Sequence, residues 1–206
     1  VTYEGFNNIG FSENITQSLA SEFSYISENE LRSVNTISER DFQKELEKEK
    51  ELVGKMKRGK IYDWEDFGFD HLTYDEVHNA NHIVGKVRIE DRRFASDFRN
   101  QNQQTSKLGI NTWMAAQYIQ ENNDGRNVTL LSATPFTNKP LEYYSILSLI
   151  ANKRLEESGY FNVNTFFETF MEADNDMEID AKGDVKFKAN VRRFKNNSLF
   201  QQLLSE

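Results

Sequence analysis

The 206-residue sequence contains no cysteine and only two prolines, and no apolar run in it approaches the length of a membrane span. Without cysteine the chain can form neither disulfides nor thiolate metal sites, which fits a reducing cytoplasm. A membrane-spanning helix needs about 20 consecutive apolar residues, so the sequence predicts no membrane partner. Neither a basic leader nor an initiating Met opens the chain, and we therefore expect it to be cut from a longer protein.

Positive charge is also in short supply. The 25 Lys and Arg residues are outnumbered by 33 Asp and Glu residues, which gives a formal net charge of −8. Such a chain can still bind DNA, but only through a local basic patch and not through its whole surface. With 37% hydrophobic residues it can bury one core, which predicts one domain with an appendage.

The pattern along the chain predicts an α/β protein, because strand and helix signals alternate. Predicted strands are VTYEGF (1–6), FDHLTYDE (69–76) and VTLLS (128–132), and a hairpin turns at Gly183. Predicted helices are FSENITQSLASEF (11–23), residues 38–60, TSKLGINTWMAAQYIQEN (105–122), PLEYYSILSLIANKRLEE (140–157), NTFFETFMEA (164–173) and the amphipathic tail 197–206. In the 105–122 helix the spacing of Leu108, Thr112, Ala115 and Ile119 predicts one buried face.

Two adjacent acids follow the strand that ends near residue 74. Asp75 and Glu76 are expected at the carboxyl edge of a sheet, which is where open α/β sheets bind ligands. In a nucleotide hydrolase the Asp would hold Mg²⁺ through water and the Glu would orient and deprotonate the attacking water. The alternatives are a polar loop, a zinc site using His78 and His82, and a metal-dependent hydrolase or nuclease using Asp75, Glu76 and His78.

A second polar segment closes the strand near residue 130. Ser132, Ala133 and Thr134 precede Pro135, and small hydroxyl side chains there can bond to nearby acids or backbone. The same residues also suit an ordinary strand-to-helix turn with local Ser and Thr hydrogen bonds.

Together, YDEVHN (74–79) and LLSATPFTN (130–138) resemble motifs II and III of superfamily-two helicases and translocases, in their Swi/Snf-like form. The segment between them resembles large helicases of phages and conjugative elements, some of which are joined to DNA methylase modules. The resemblance implies that residues 1–150 are the carboxyl-terminal portion of a RecA-like motor domain with a parallel sheet flanked by helices. Residues 151–206 would form a helical and hairpin extension. One departure is Val77, which stands where the family usually has Ala.

The resemblance implies a DNA-dependent ATPase that uses ATP and Mg²⁺ together with a second RecA-like domain. A phosphate loop has the pattern G-x-x-x-x-G-K-[S/T]. The Gly-Lys pairs at 54–55 and 85–86 are followed by Met and Val, so we expect this chain alone to bind no cofactor and to hydrolyse no ATP. The alternative is a non-catalytic module of helicase-like fold that binds nucleic acid or protein.

A cluster of cations lies near the carboxyl end of the sequence. Lys186, Lys188, Arg192 and Arg193 belong to KFKANVRRFK, and on a strand Lys186 and Lys188 share a face. Such a face could follow a DNA backbone, or its charges could only balance the nearby Asp residues at 174, 176, 180 and 184.

Overall fold

The computed structural model describes residues 1–28, 47, 50–51, 53–54, 60–80, 107–136, 141–160, 163–179 and 182–205. The helices are α1 (Tyr3–Phe6), α2 (Glu13–Glu28), α3 (Trp64–Phe67), α4 (Lys107–Glu121), α5 (Leu141–Ile150), α6 (Asn152–Glu157), α7 (Val163–Phe170) and α8 (Asn197–Ser205), with a 3-10 turn at Val77–Asn79. The strands are β1 (Ile9–Gly10), β2 (Tyr62–Asp63), β3 (Leu72–Tyr74), β4 (Val128–Leu130), β5 (Met171–Ile179) and β6 (Val185–Phe194).

Helix α4 lies at the centre of the core and is buried on every side. Trp113, Ala115, Ala116 and Ile119 have no exposed surface, and the helix packs against α5, β3 and β4. The burial predicted for Thr112, Ala115 and Ile119 is confirmed, while Leu108 is only partly buried. A helix that is buried all round belongs to the inside of a domain, so this one organises the elements around it.

Polar side chains of α4 bind the end of its neighbour α5. Gln117 Nε2 donates to the carbonyl of Ser148 at 2.9 Å, and Gln120 Nε2 donates to that of Leu149 at 2.7 Å. The last carbonyls of a helix have no partner within the helix, and a buried carbonyl without one is costly. These two glutamines therefore hold the carboxyl end of α5 against α4.

The described strands form three two-stranded sheets. β1 pairs with β2 and β3 pairs with β4, both in parallel, while β5 and β6 are antiparallel. Parallel pairs need long crossover connections, and α4 lies in the connection from β3 to β4. The mixed α/β class is therefore confirmed. The described strands do not join into one continuous RecA-like sheet.

The strand predicted for residues 1–6 is wrong, because Tyr3–Phe6 is a short helix. Thr2 has extended backbone angles, and its Oγ1 accepts a hydrogen bond from the Gly5 amide at 3.2 Å. A Thr in that position caps a helix by satisfying an amide that would otherwise have no partner. The apolar residue Phe6 is thereby turned into the core, where its ring meets Trp64 and Tyr74 edge-on.

The predicted hairpin is confirmed and is longer than expected on its first strand, which begins at Met171. Gly183 lies in the turn with φ 86°, a backbone conformation that favours glycine. At the base of the hairpin, Phe194 stacks on Phe200 of α8 with ring centroids 5.4 Å apart. The tail helix α8 thus secures the hairpin to the core through aromatic packing.

Other predicted helices are confirmed with shifted ends. The helix predicted for 140–157 is divided at Ala151 into α5 and α6, and α7 ends at Phe170, where β5 begins. Of the helix predicted for 38–60, residues 47, 50, 51, 53, 54 and 60 are described. The first five are helical, whereas Lys60 is not, so the predicted carboxyl end is wrong. No helix in the described part of the chain is long and apolar enough to cross a membrane.

Glu22 of α2 should make stability depend on pH. Its carboxylate accepts a hydrogen bond from Asn152 Nδ2 at 2.8 Å, and Asn152 is buried. Burial raises the pKa of Glu22 from 4.5 to about 7, and the nearby charges of Glu121 and Glu156 add to the effect, against which the Asn152 bond acts. The folded chain then binds more protons than the unfolded chain between these two values. The free energy of unfolding should fall by roughly 2 kcal/mol as pH rises from about 5 to 8, allowing for partial solvent screening.

Urea unfolding at several pH values checks this prediction. In Glu22→Gln the fall should shrink to a small remainder, because burial also raises the pKa of Glu121. Glu157→Gln is the matched control, since Glu157 is exposed and pairs only loosely with Lys153 at 3.9 Å. An unchanged pH profile in Glu22→Gln would contradict the prediction.

Candidate functional site

The two predicted motifs meet at one edge of the β3–β4 pair. Backbone pairing aligns Leu72 with Val128 and Tyr74 with Leu130. Beyond the strands, the Leu131 amide donates to the Tyr74 carbonyl at 2.8 Å and the Val77 amide donates to the Leu131 carbonyl at 3.1 Å. The prediction that the acid pair follows a strand beside the one leading to Ser132 is confirmed, although β4 itself ends at Leu130.

Asp75 is fixed through its backbone and leaves its carboxylate at the surface. The Tyr3 hydroxyl donates to the Asp75 carbonyl at 2.8 Å, and the Tyr3 ring stacks on that of Tyr74 at 5.7 Å. Asp75 Oδ1 accepts the Glu76 amide at 3.0 Å, which orients the carboxylate. Mg²⁺ prefers carboxylate oxygens and keeps several waters, so an oriented, exposed carboxylate fits such an ion.

Glu76 has an unusual backbone conformation. Its φ of 52° and ψ of 51° lie in the left-handed region, which costs a residue with a side chain roughly 1–2 kcal/mol. The neighbouring Val77 is 2% exposed and begins the 3-10 turn. The valine that departs from the family pattern therefore lies in the core. The left-handed step turns Glu76 outward from the edge while Val77 points in.

His78 connects the two motifs. Its Nδ1 lies 3.1 Å from Glu76 Oε2 and 3.3 Å from Ser132 Oγ. A carboxylate oxygen can only accept, so Nδ1 must carry the proton, which it shares between the two oxygens. The imidazole thus joins a carboxylate of the first motif to a hydroxyl of the second.

Ser132 also shapes its own segment. Its Oγ accepts the Thr134 amide at 3.1 Å, which is the local turn bond expected of a Ser at a strand end. Ser132 therefore makes both contacts that the sequence allowed, the local turn bond and the bond to the first motif. Ala133 and Thr134 are exposed, and the structure shows no contact of their side chains with Asp75 or Glu76.

Aromatic contacts that the sequence did not predict lead away from this segment. The Phe136 ring stacks on Tyr143 of α5 with centroids 3.9 Å apart, and Tyr143 meets Phe194 of β6 edge-on at 5.0 Å. The only feature of the sequence that pointed to these contacts was the aromatic residue that follows Thr134-Pro135. We call residues 132–136 the S-A-T segment. Three rings therefore connect the S-A-T segment to the base of the hairpin.

The zinc alternative and the nuclease alternative both require a metal ion. Among the described residues, no group of three or more His, Asp or Glu side chains is placed to hold a metal ion. His82, the second histidine of the zinc alternative, lies outside the described residues.

Gly59 and Lys60 form a third Gly-Lys pair. Unlike the pairs at 54–55 and 85–86, it has a glycine five residues before its own, which is the spacing of a phosphate loop. GKMKRGKI (54–61) reads G-x-x-x-x-G-K, with Ile61 where Ser or Thr should bind Mg²⁺. A phosphate loop follows a strand and opens a helix. Here residues 53 and 54 are helical and Lys60 precedes β2, which is the reverse order.

The Lys60 ammonium is engaged by oxygens of the protein. Its Nζ donates to the carbonyls of Asn7 and Ile9 at 3.0 Å each and to Asn111 Oδ1 at 2.6 Å. Its stem crosses β1 so closely that a Cβ on Gly10 would lie 2.8 Å from Lys60 Cγ. Burial and the charge of Lys107 lower the pKa of Lys60 to about 8. Lys60 therefore ties β1 to α4.

The predicted DNA-binding cations lie on β6. Backbone register pairs Lys186 with Glu178, Lys188 with Asp176 and Arg193 with Glu172. The side chains of Lys186, Lys188 and Arg192 lie outside the described part, and Arg193 is exposed. Because acidic residues of β5 lie opposite these cations, the pairing supports the alternative in which the cations only balance nearby negative charge. Binding of DNA by this strand stays a prediction.

Comparison with known proteins defines the class. A family model described as a probable helicase domain matches residues 1–206, so the chain belongs to the probable helicase domain family. The "Defense against restriction protein B" of Escherichia phage P1 is 25% identical over 155 residues, which cover 70% of this chain. The match spans 6% of the length of that phage protein. No solved structure matches the chain.

The strained backbone at Glu76 gives a direct test of the site geometry. Glu76→Gly and Glu76→Ala both remove the carboxylate, but only glycine adopts a φ of 52° without steric cost. The glycine variant should therefore be more stable than the alanine variant by up to roughly 1 kcal/mol, which urea unfolding can measure.

The same pair of substitutions at Glu4 in α1 serves as the control. There the backbone is helical, and alanine should be the more stable by roughly 0.5–1 kcal/mol. Greater stability of alanine at both positions would contradict the left-handed conformation of Glu76.

Proposed function

We propose that this chain is part of a DNA-dependent ATPase motor, a helicase or double-strand DNA translocase, in which the β3–β4 edge hydrolyses ATP. The observation that carries the proposal is the His78 contact, which brings Glu76 of the first motif to Ser132 of the second. Membership of the probable helicase domain family supports it. The phage origin of one relative agrees with the resemblance to helicases of phages and conjugative elements.

In this proposal each acid has its own task. Asp75, oriented by the Glu76 amide, would hold Mg²⁺ through water. The bound ion would neutralise charge on the phosphates. Glu76 would orient the attacking water and accept its proton, since its carboxylate is exposed at the edge. A buried Val77 and the Tyr3 hydroxyl would keep this loop in place.

The second motif would report the state of the first to the DNA-binding surface. A movement of Glu76 would change its contact with His78 Nδ1, and the same nitrogen lies 3.3 Å from Ser132 Oγ. Ser132 in turn holds the Thr134 amide, so the S-A-T segment would move with the acid loop. Ser132, Ala133 and Thr134 thus couple nucleotide state to grip on DNA in this proposal.

The phosphate-binding and arginine-finger parts of the motor would come from elsewhere in the complete protein. Lys60 is engaged by three oxygens, and Ile61 offers no hydroxyl to Mg²⁺. The same observation favours a second candidate for the chain by itself, a non-catalytic module of helicase-like fold that binds nucleic acid or protein.

The isolated chain should hydrolyse ATP at no measurable rate. Loss of an arginine finger alone lowers the rate by roughly 10³-fold or more, and the phosphate loop is not complete here. Steady phosphate release by the purified chain, abolished in Glu76→Gln, would contradict this prediction.

The complete protein provides the test of the motor itself. Glu76→Gln should lower DNA-stimulated ATP hydrolysis by roughly 10²–10⁴-fold while ATP binding persists, because the carboxamide cannot accept the proton. Ser132→Ala should preserve basal hydrolysis within a few-fold and should lose most of its stimulation by DNA. Phosphate release with and without duplex DNA measures both.

Glu157→Gln, an exposed acid on α6, is the matched control and should leave both rates unchanged. Full activity in Glu76→Gln would overturn the catalytic assignment. Equal loss of basal and stimulated hydrolysis in Ser132→Ala would overturn the coupling role and leave the catalytic one standing.

A further inference from the structure

A second surface lies on the segment that precedes β3. Asp75 and Glu76 follow this strand, whereas IYDWEDFGFD (61–70) precedes it. This segment forms β2 and α3, and it places large apolar side chains in water: Ile61 is 69% exposed, Tyr62 58%, Phe67 42% and Phe69 44%. Exposed apolar surface of this kind marks interaction sites.

The exposed rings are held in a defined arrangement. Phe67 and Phe69 stack with centroids 5.1 Å apart and planes 2° from parallel, and Tyr62 meets Phe67 edge-on at 5.9 Å. Gly68, with φ 62°, makes the reversal that brings the two Phe rings together. Phe69 also meets the buried Trp64 at 5.7 Å. The rings are therefore preorganised, which reduces the entropy lost when a partner binds.

The segment that carries these rings is acidic. The segment 61–70 contains four acids and no Lys or Arg. Glu65 is used internally, since its Oε1 accepts the Ser12 amide at 2.9 Å. Among the described residues, no cation pairs with Asp63, Asp66 or Asp70, and the latter two are exposed. We call Tyr62, Phe67, Phe69, Asp63, Asp66 and Asp70 the acidic aromatic face.

We propose that the acidic aromatic face binds an arginine-containing basic polypeptide segment of a partner. A guanidinium can stack on an aromatic ring and at the same time pair with a carboxylate through two parallel hydrogen bonds. Nucleic acid would bring phosphate charge against three carboxylates, so the sign of the charge disfavours it. The proposal does not rest on the proposed ATPase chemistry, because the face contains none of the residues assigned to the β3–β4 edge.

Fluorescence anisotropy with labelled synthetic peptides tests the proposal on the full chain. A 12-residue Arg-Ser repeat should bind, a Lys-Ser repeat should bind several-fold more weakly, and a Glu-Ser repeat should not bind. Phe67→Ala removes a ring that does not contact Trp64 and should weaken Arg-peptide binding by about 5-fold or more. Asp66→Asn combined with Asp70→Asn should weaken it by a similar factor without altering the rings.

The matched control is Glu156→Gln combined with Glu157→Gln, which makes the same change in net charge on α6. This control should bind the Arg peptide within 2-fold of the unchanged chain. Equal weakening by the control would show attraction to the net charge alone and would overturn the proposal. So would preferential binding of a 12-residue oligo-dT that Phe67→Ala abolishes, because the face would then be a base-stacking surface. If Phe67→Ala does not fold, the Asp66 and Asp70 double variant decides.

Discussion

The burial of α4 from Asn111 to Gln117 is the constraint on which the rest of the structure depends. Trp113, Ala116 and Ile119 are inaccessible to solvent, so partners must cover the helix on all sides. Helix α5 and the β3–β4 pair are among the elements that cover it. Its polar residues need partners as well, because a buried amide without a hydrogen bond is costly. Asn111 accepts a hydrogen bond from Lys60, and Gln117 donates one to the Ser148 carbonyl. One helix therefore holds both the residue that precedes β2 and the carboxyl end of α5.

The candidate site is a consequence of this packing. β3 and β4 are only three residues long each, and a two-stranded parallel pair of this length is not stable by itself. Burial of Leu72 and Tyr74 beside α4 holds the pair in register. That register sets Asp75 and Glu76 beside the segment of Ser132. Once the strands are in register, the His78 side chain is long enough to contact both Glu76 and Ser132.

The sequence predicted the elements whose signals are local. α4 follows from its helical period, the hairpin from Gly183, and the strands of the site from apolar runs that end in short polar motifs. The first six residues were mispredicted because alternation of apolar residues outweighed a single capping Thr. Contacts between distant residues left no local signal. Tyr3 lies 72 residues from Asp75, and Lys60 lies 51 residues from Asn111.

The rings of Phe136, Tyr143 and Phe194 hold the hairpin at its base, so a small rotation at the base produces a larger displacement at the tip. From this aromatic base, the ten-residue strand β6 extends about 33 Å at 3.3 Å per residue. A tilt of about 10° at the base moves the tip by roughly 6 Å over that length. A rearrangement of the S-A-T segment that tilts the base by this angle would therefore move the hairpin tip by more than the spacing between two neighbouring strands, which is about 4.8 Å.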